Sequence, residues 1–264
     1  MLLEGKKIFI TGGSRGIGKT CAERCIEEGA EITVMGRSAD TLNETKTQLG
    51  DKCHIFQGDV TNYEDVVKGL NYAVEQMGGI TGAVNNAGAN KAHPLLEMSN
   101  EDFDWTVKLN LYGVFYCVKA EAEIMKKTGG SIVNISSLTS TLPSTGNCAY
   151  SASKAGVDMF TKAAAFELGQ YGIRVNAVRP GFTRTTGPAA DILWNMPEVQ
   201  AEVFGATPIR DFVYPVDIAN DVLVLLSDLT VRTTGTVHLV DGGLELAGFP
   251  DISESVAKLY SQMK

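Results

Sequence analysis

Short β-branched runs alternate with longer helical patterns from one end of the chain to the other. KKIFIT is followed by a helical pattern through KTCAERCIEEG, EITVMG by SADTLNETKTQLG, and CHIFQG by NYEDVVKGLNYAVEQM. TGAVNN then leads to one long helix expected near EDFDWTVKLNLYGVFYCVKAEAEIMKK, and SIVNISS to a helix from Ala149 to Tyr171; RVNAVR, DIANDVLVLLSD and TVHLVDGG repeat the alternation. Parallel strands need crossover connections, and crossovers place helices over the sheet. The pattern therefore predicts a doubly wound α/β domain with a parallel sheet and helices on both faces. Its ligand is expected outside the carboxyl ends of the strands.

At about 150 residues per domain, 264 residues would allow two domains, but no repeat, low-complexity tract or Pro/Gly/Ser linker divides them. A single domain spanning 1–264 is expected. With 44% hydrophobic and 20% charged residues the chain is not disordered, and its net charge of −8 argues against nucleic acid or an anionic membrane as partner. No apolar run approaches the roughly 18 residues of a membrane span. The strand-like Lys6–Ile10 comes too early to leave room for a signal peptide, so a cytoplasmic protein is expected. Cys21, Cys25, Cys53, Cys117 and Cys148 form no C-x-x-C pair, and only His54, His93 and His238 accompany them. No zinc ligand set results, and neither metal nor disulfides are expected.

The first strand runs into Thr11-Gly12-Gly13-Ser14-Arg15-Gly16-Ile17-Gly18 and then into a helix. Glycine permits the tight turn and a close approach to a pyrophosphate, while the helix N-terminus offers unpaired N–H groups and a positive dipole end. The spacing differs from G-x-G-x-x-G, so its place in a βαβ unit carries the dinucleotide reading. An acidic residue usually ends the second strand and would repel a 2′-phosphate. Here Gly36 and Arg37 stand there, and Arg15 lies within reach, so NADP(H) is favoured over NAD(H), with Arg37 as a plain surface charge the alternative. At the third strand Asp59-Val60 either meets an exocyclic amine such as that of adenine or caps the next helix. Asn85-Asn86-Ala87-Gly88 suits a turn where backbone nears a ligand, or a plain loop.

Tyr150 and Lys154 lie four apart on an expected helix and so share one face. Ser137 ends the strand before it, and Asn110 lies on the long preceding helix. A phenol titrating near 10 is a poor base at neutral pH, and a neighbouring ammonium would favour its phenolate. A serine hydroxyl would hold the substrate oxygen beside it, so that orientation and proton delivery supply most of the rate gain.

These residues together resemble a short-chain dehydrogenase/reductase from Gly5 to about Gly243. The matches are the TGGSRGIG turn, Asp59-Val60, the NNAG run, Asn110, Ser137, Tyr150-x-x-x-Lys154, Asn176-Ala-Val-Arg-Pro180-Gly181 with Thr185, and Asp241-Gly-Gly. The resemblance implies a seven-stranded Rossmann-type sheet and an NAD(P)-dependent oxidoreductase. It implies Tyr150 as the acid/base, Lys154 on the nicotinamide ribose lowering the tyrosine pKa, Ser137 positioning substrate, and Asn110 supporting a water-mediated proton relay. Thr183 and Thr185 would meet the nicotinamide carboxamide and nearby phosphate, and Pro180 and Gly181 would also belong to the cofactor site. It also implies a homotetramer or homodimer packed through the helices at Asp102–Lys127 and Tyr150–Gln170.

The segment at 185–208 is, by the same resemblance, a substrate lid. Ile192, Leu193, Trp194, Met196, Val199, Val203 and Phe204 would give it an apolar inner face, or would close the core or a subunit contact. Leu193, Trp194 and Met196 are singled out as substrate contacts beside Ser137 and Tyr150. Thr128 and Tyr171 stand where many carrier-protein reductases of the family have arginine, although Lys126 and Lys127 lie nearby. The apolar lid and the tail at 244–264 resemble bacterial hydroxysteroid dehydrogenases. The expected reaction interconverts a secondary alcohol and a ketone on a small hydrophobic substrate, a hydroxysteroid being favoured. A 3-oxoacyl-(acyl carrier protein) reductase and a catalytically silent NADP-binding sensor or scaffold are the alternatives.

Overall fold

In a computed structural model of the chain, residues 1–185 and 192–248 are described, with 252, 256 and 258. The lid interior at 186–191 and most of the expected tail lie outside the described residues. Seven strands form one sheet: β1 (Lys7–Thr11), β2 (Glu31–Gly36), β3 (Cys53–Gln57), β4 (Gly82–Asn85), β5 (Gly130–Ile135), β6 (Ile173–Pro180) and β7 (Val237–Val240). Their order is β3-β2-β1-β4-β5-β6-β7, and every pairing is parallel. The chain order reverses between β1 and β4, which opens a crevice at their carboxyl ends. Among the described residues no helix is long and apolar enough to cross a membrane.

The helices are α1 (Gly16–Glu27), α2 (Ala39–Leu49), α3 (Tyr63–Met77), α4 (Asn100–Val107), α5 (Gly113–Met125), α6 (Cys148–Leu168), α7 (Pro197–Ala206), α8 (Pro215–Leu226) and α9 (Leu244–Ala247). Ile8, Ile10, Val34 and Val84 point to one face, where Ala22 and Cys25 of α1 and Ile218, Val222 and Leu225 of α8 cover them. Phe9, Met35, Ala83 and Ile132 point to the other, under α3, α5 and α6. Residues of period 2 thus feed two cores, which is why the strands read as continuous apolar runs. Cys21 and Cys25 sit buried in the first core as free thiols, and burial pushes the Cys21 thiol up to about 12.

The one long helix expected after β4 is divided. A π-helical turn at Lys108–Tyr112 joins α4 to α5. Asn110 sits in it and donates to the Thr106 carbonyl at 2.8 Å and the Ala89 carbonyl at 2.7 Å. Such single wide turns gather at functional sites, and this one ties the helix to the loop after β4. The lid contributes a helix, α7, that the sequence pattern did not resolve.

Candidate active site

Each loop at the carboxyl edge is fixed by bonds to its neighbour. After β1, Gly12 adopts φ +65°, and a Cβ on it would sit 2.9 Å from Asn86 Nδ2 and 3.0 Å from Ala87 Cα. Only glycine fits there. Asn86 Nδ2 donates to the carbonyls of Thr11 and Gly12 at 3.2 and 3.1 Å, and the Asn86 and Ala87 amides both donate to Thr11 Oγ1 at 3.2 Å. The NNAG segment therefore clasps the glycine turn. At the start of α1, Arg15 occupies the cap position with no side-chain cap, so the first amides of the helix have no side-chain acceptor there. That is the chemistry an anion uses.

Two adjoining clefts follow. One of about 560 Å³ is bounded by Gly12, Ser14, Arg15, Gly36, Arg37, Ser38, Thr41, Asp59, Val60, Ala87 and Gly88. Arg15 and Arg37 are both exposed at its rim, and neither guanidinium has an ion-pair partner among the described residues. Asp59 accepts from the Thr61 amide at 2.9 Å, so it makes the turn cap while also facing the cleft. Gly13, Gly16 and Gly18 stand behind the lining. Gly13 packs against Val34, where a Cβ would lie 2.9 Å from Cγ1.

The second cleft, of about 540 Å³, shares Gly12, Arg15, Ala87 and Gly88 with the first. It is lined further by Ile17, Asn86, Ser137, Tyr150, Lys154, Pro180, Gly181, Thr183, Thr185 and Trp194. Gly181 lies against the turn after β7, where a Cβ would fall 2.7 Å from Asp241 Cα. The groove as a whole has an open glycine cradle, cationic rims and a polar floor, and its residues fit a dinucleotide.

On the floor, Ser137 Oγ accepts from the Thr139 amide at 3.2 Å and from Thr139 Oγ1 at 3.0 Å, leaving its own proton to donate. Lys154, 3% exposed, donates from Nζ to the Ile135 carbonyl at 2.7 Å and lies 5.6 Å from the Tyr150 ring centroid. Burial lowers its pKa to about 8, against an opposing contribution from Asp158. Burial pushes Tyr150 up, and the hydroxyl that eases it down is Ser137. Lys154, itself buried and bonded to the Ile135 carbonyl, is not among the causes of that shift. At neutral pH the phenol is protonated.

Asn110 does not line either cleft. It is fully buried behind Gly88, where a Cβ would sit 2.6 Å from its Oδ1, and that oxygen has no hydrogen-bond partner among the described residues. Of the three lid residues singled out, Trp194 alone reaches the cleft wall. Leu193 and Met196 pack instead into a cluster of Trp194, Val199, Val203 and Phe212, with Phe182 and Phe204. Val199 and Val203 are fully buried, so most of the lid's apolar face closes this small core. Leu138, Thr139, Asn147 and Phe182 also line the cleft and were not expected. Thr139 and Asn147 are within three residues of Ser137 and Tyr150, which was the only sequence signal for them.

A family model described as enoyl-(acyl carrier protein) reductase matches residues 12–245. A 3alpha-hydroxysteroid dehydrogenase of Mediterraneibacter gnavus is 36% identical over 249 residues, covering 92% of this chain and 98% of the relative. A 3-oxoacyl-(acyl carrier protein) reductase of Staphylococcus aureus is 34% identical over 244 residues, covering 90% and 98%. The structure of a short-chain type dehydrogenase/reductase from Mycobacterium ulcerans superposes with a TM-score of 0.93 at 30% identity, covering 98% of this chain and 96% of that one. With the parallel sheet, the clasped glycine turn and the Ser137–Tyr150–Lys154 floor, these likenesses make the chain a member of the short-chain dehydrogenase/reductase family, an oxidoreductase that uses a nicotinamide cofactor.

Proposed function

We propose that the protein is an NADP(H)-dependent enzyme interconverting a secondary alcohol and a ketone on a hydrophobic substrate, a hydroxysteroid above all. The observation that carries the reading is the convergence of Ser137, Tyr150 and Lys154 on the floor of one cleft walled by Trp194 and Phe182 and continuous with the arginine-rimmed cleft. The nicotinamide, when bound, exchanges hydride with the substrate carbon. Ser137 donates to the substrate oxygen and fixes it beside the phenol, and Tyr150, protonated at neutral pH, gives that oxygen its proton. Lys154, charged below about 8, anchors the floor. Arg15 and Arg37, without ion-pair partners among the described residues, suit the dianionic 2′-phosphate.

The 34% identity to the Staphylococcus aureus enzyme favours a second reading, reduction of a 3-oxoacyl thioester. It asks for a cationic docking face, whereas Thr128 and Tyr171 are uncharged and Lys126 is engaged by Glu123. We further propose a cytoplasmic homo-oligomer. A groove of about 440 Å³ between α5 and α6 carries exposed Phe115, and Met159 and Phe166 project nearby, 64% and 90% exposed.

Mixing the protein with NADPH and a panel of bulky ketones, oxo-bile acids and a 3-oxoacyl thioester, and following the nicotinamide absorbance, tests the assignment. Turnover of the oxosteroids above the thioester, abolished in Tyr150→Phe, is expected. Thioester preference would establish the second reading, and bound NADPH with no turnover of any ketone would mark a silent sensor.

A further inference from the structure

One helical turn beyond Lys154, on the same face of α6, stands a carboxylate with no part in the reaction just described. Asp158 is 7% exposed and accepts from Ser140 Oγ at 2.6 Å and from Arg179 Nη2 at 2.8 Å, both bonds lying largely away from solvent. Ser140 closes the short 3₁₀ turn that begins immediately after Ser137. Arg179 is the residue before Pro180, and its Nη1 reaches Glu245 Oε1 at 3.2 Å and Thr141 Oγ1 at 3.3 Å. Glu245 also accepts from Thr141. Glu245 is itself placed by Asp241, whose carboxylate accepts from the amides of Gly243 and Glu245 at 2.8 and 2.6 Å.

Such an arrangement is an expensive way to hold a fold together. Burying paired charges is often no better for stability than packing apolar groups of similar volume, and here Asp158 Oδ1 and Arg179 Nε remain buried without partners among the described residues. What the charges do that methyl groups would not is bond, with direction, to the Ser137 loop, the catalytic helix and the strand end beneath the cofactor groove. We propose that Asp158, Arg179 and Glu245 form a positioning brace: Asp158 locks the loop that presents Ser137 to the helix that presents Tyr150 and Lys154, and Arg179 ties both to the short helix α9. The brace rests on the reading that Ser137, Tyr150 and Lys154 carry the reaction. It also sets the charge environment of Lys154, whose ionisable neighbours are Tyr150 and Asp158 on α6, with Arg179 and Glu245 beyond Asp158; β5 offers it the Ile135 carbonyl and the π turn the neutral Asn110.

The test compares Asp158→Asn, Arg179→Met, Arg179→Lys, Glu245→Gln and the apolar pair Asp158→Leu/Arg179→Met in ketone reduction. Melting temperature, NADPH binding and the pH dependence of kcat/KM are measured alongside. Asp158→Asn and Arg179→Met are expected to lower kcat about tenfold or more with KM changed less than about threefold, because alignment and not binding is lost. Arg179→Lys recovers most of the rate, and Glu245→Gln loses less than Arg179→Met. Removing the carboxylate moves the alkaline limb of Asp158→Asn to lower pH, a change that a merely structural role would not produce. The apolar pair is expected to melt near the wild type yet remain impaired. Wild-type kcat and pH profile in the apolar pair, or loss of rate only in step with loss of melting temperature, overturns the brace. Tyr150→Phe serves as the control: if it keeps activity, the catalytic reading has failed, whereas its inactivity beside unimpaired brace variants sinks the brace alone.

Discussion

Lys154 Nζ is bonded to the carbonyl of Ile135, two residues before Ser137, at 2.7 Å. The cation thus joins the end of β5 to α6 at the point where Ser137 and Tyr150 face the cleft. Its position has a consequence for pH. Burial lowers the lysine to about 8, so it is charged below that value and neutral above it. Tyr150, raised above its ordinary value, stays protonated through the same interval. For ketone reduction kcat/KM, which reports the free enzyme, is expected to fall as pH rises through about 8, with the limb belonging to the lysine. Lys154→Met removes both the bond and the charge and is expected to cost about 10²–10⁴ in kcat/KM. A flat profile to beyond pH 10, measured on the wild type, contradicts the assignment.

How far this site could be read from sequence follows the range of each interaction. The glycine turn and the Tyr150–Lys154 pair are local, and the strand–helix alternation fixed where they would fall. Asn110 was also found, but not its π turn, since apolar periodicity does not distinguish a helix from one that widens for five residues. In the lid, Trp194 was picked with Leu193 and Met196 because a short segment without strong periodicity does not say which side faces the cleft. Asp158, Arg179 and Glu245 were invisible. They are 21 and 66 residues apart in sequence and meet only when β6 and α9 are in place.

Arg15 and Arg37 at the cleft rim, which have no ion-pair partner among the described residues, bear on the choice of cofactor. A charge-assisted, bidentate contact to a dianion is worth roughly 1.5–3 kcal/mol, about ten- to hundredfold in affinity. Arg37→Asp is expected to weaken NADPH binding by at least that factor and to leave NADH binding within about threefold, as read by fluorescence titration. Equal losses for both cofactors would show that Arg37 does not read the 2′-phosphate.

On the outer face of α5 and α6, Met159 and Phe166 are the residues to charge. Both are well exposed and belong to neither core, so Met159→Asp and Phe166→Asp leave the folded protomer intact. If a second copy covers this face, each variant elutes as a smaller species in size-exclusion chromatography with light scattering. Unchanged mass for the double variant removes this face as the subunit contact.

Glu121 of α5 is fully buried and its carboxyl is pushed up to about 8 by desolvation, only partly opposed by the 3.0 Å bond from Asn85 Nδ2. Asn85 also donates to Asn134 Oδ1 at 3.0 Å, and Asn134 to Thr161 Oγ1 at 2.9 Å, so the carboxyl ends a polar chain crossing β4, β5 and α6. Its Oε1 has no hydrogen-bond partner among the described residues. Below the ordinary carboxyl value both folded and unfolded chains hold the proton and the group is neutral in effect. Between that value and about 8 the folded chain keeps a proton the unfolded chain has lost. Each unit of rising pH then removes up to about 1.4 kcal/mol of stability. Glu121→Gln keeps the acceptor for Asn85 and cannot ionise, so it is expected to match the wild type near pH 5 and to melt several degrees higher at pH 8, at roughly 2–4 °C per kcal/mol for a chain of this size. Scanning calorimetry across that range decides it. A variant that melts lower than the wild type at pH 8 would mean that the carboxylate is ionised and paired in the fold, reversing the sign.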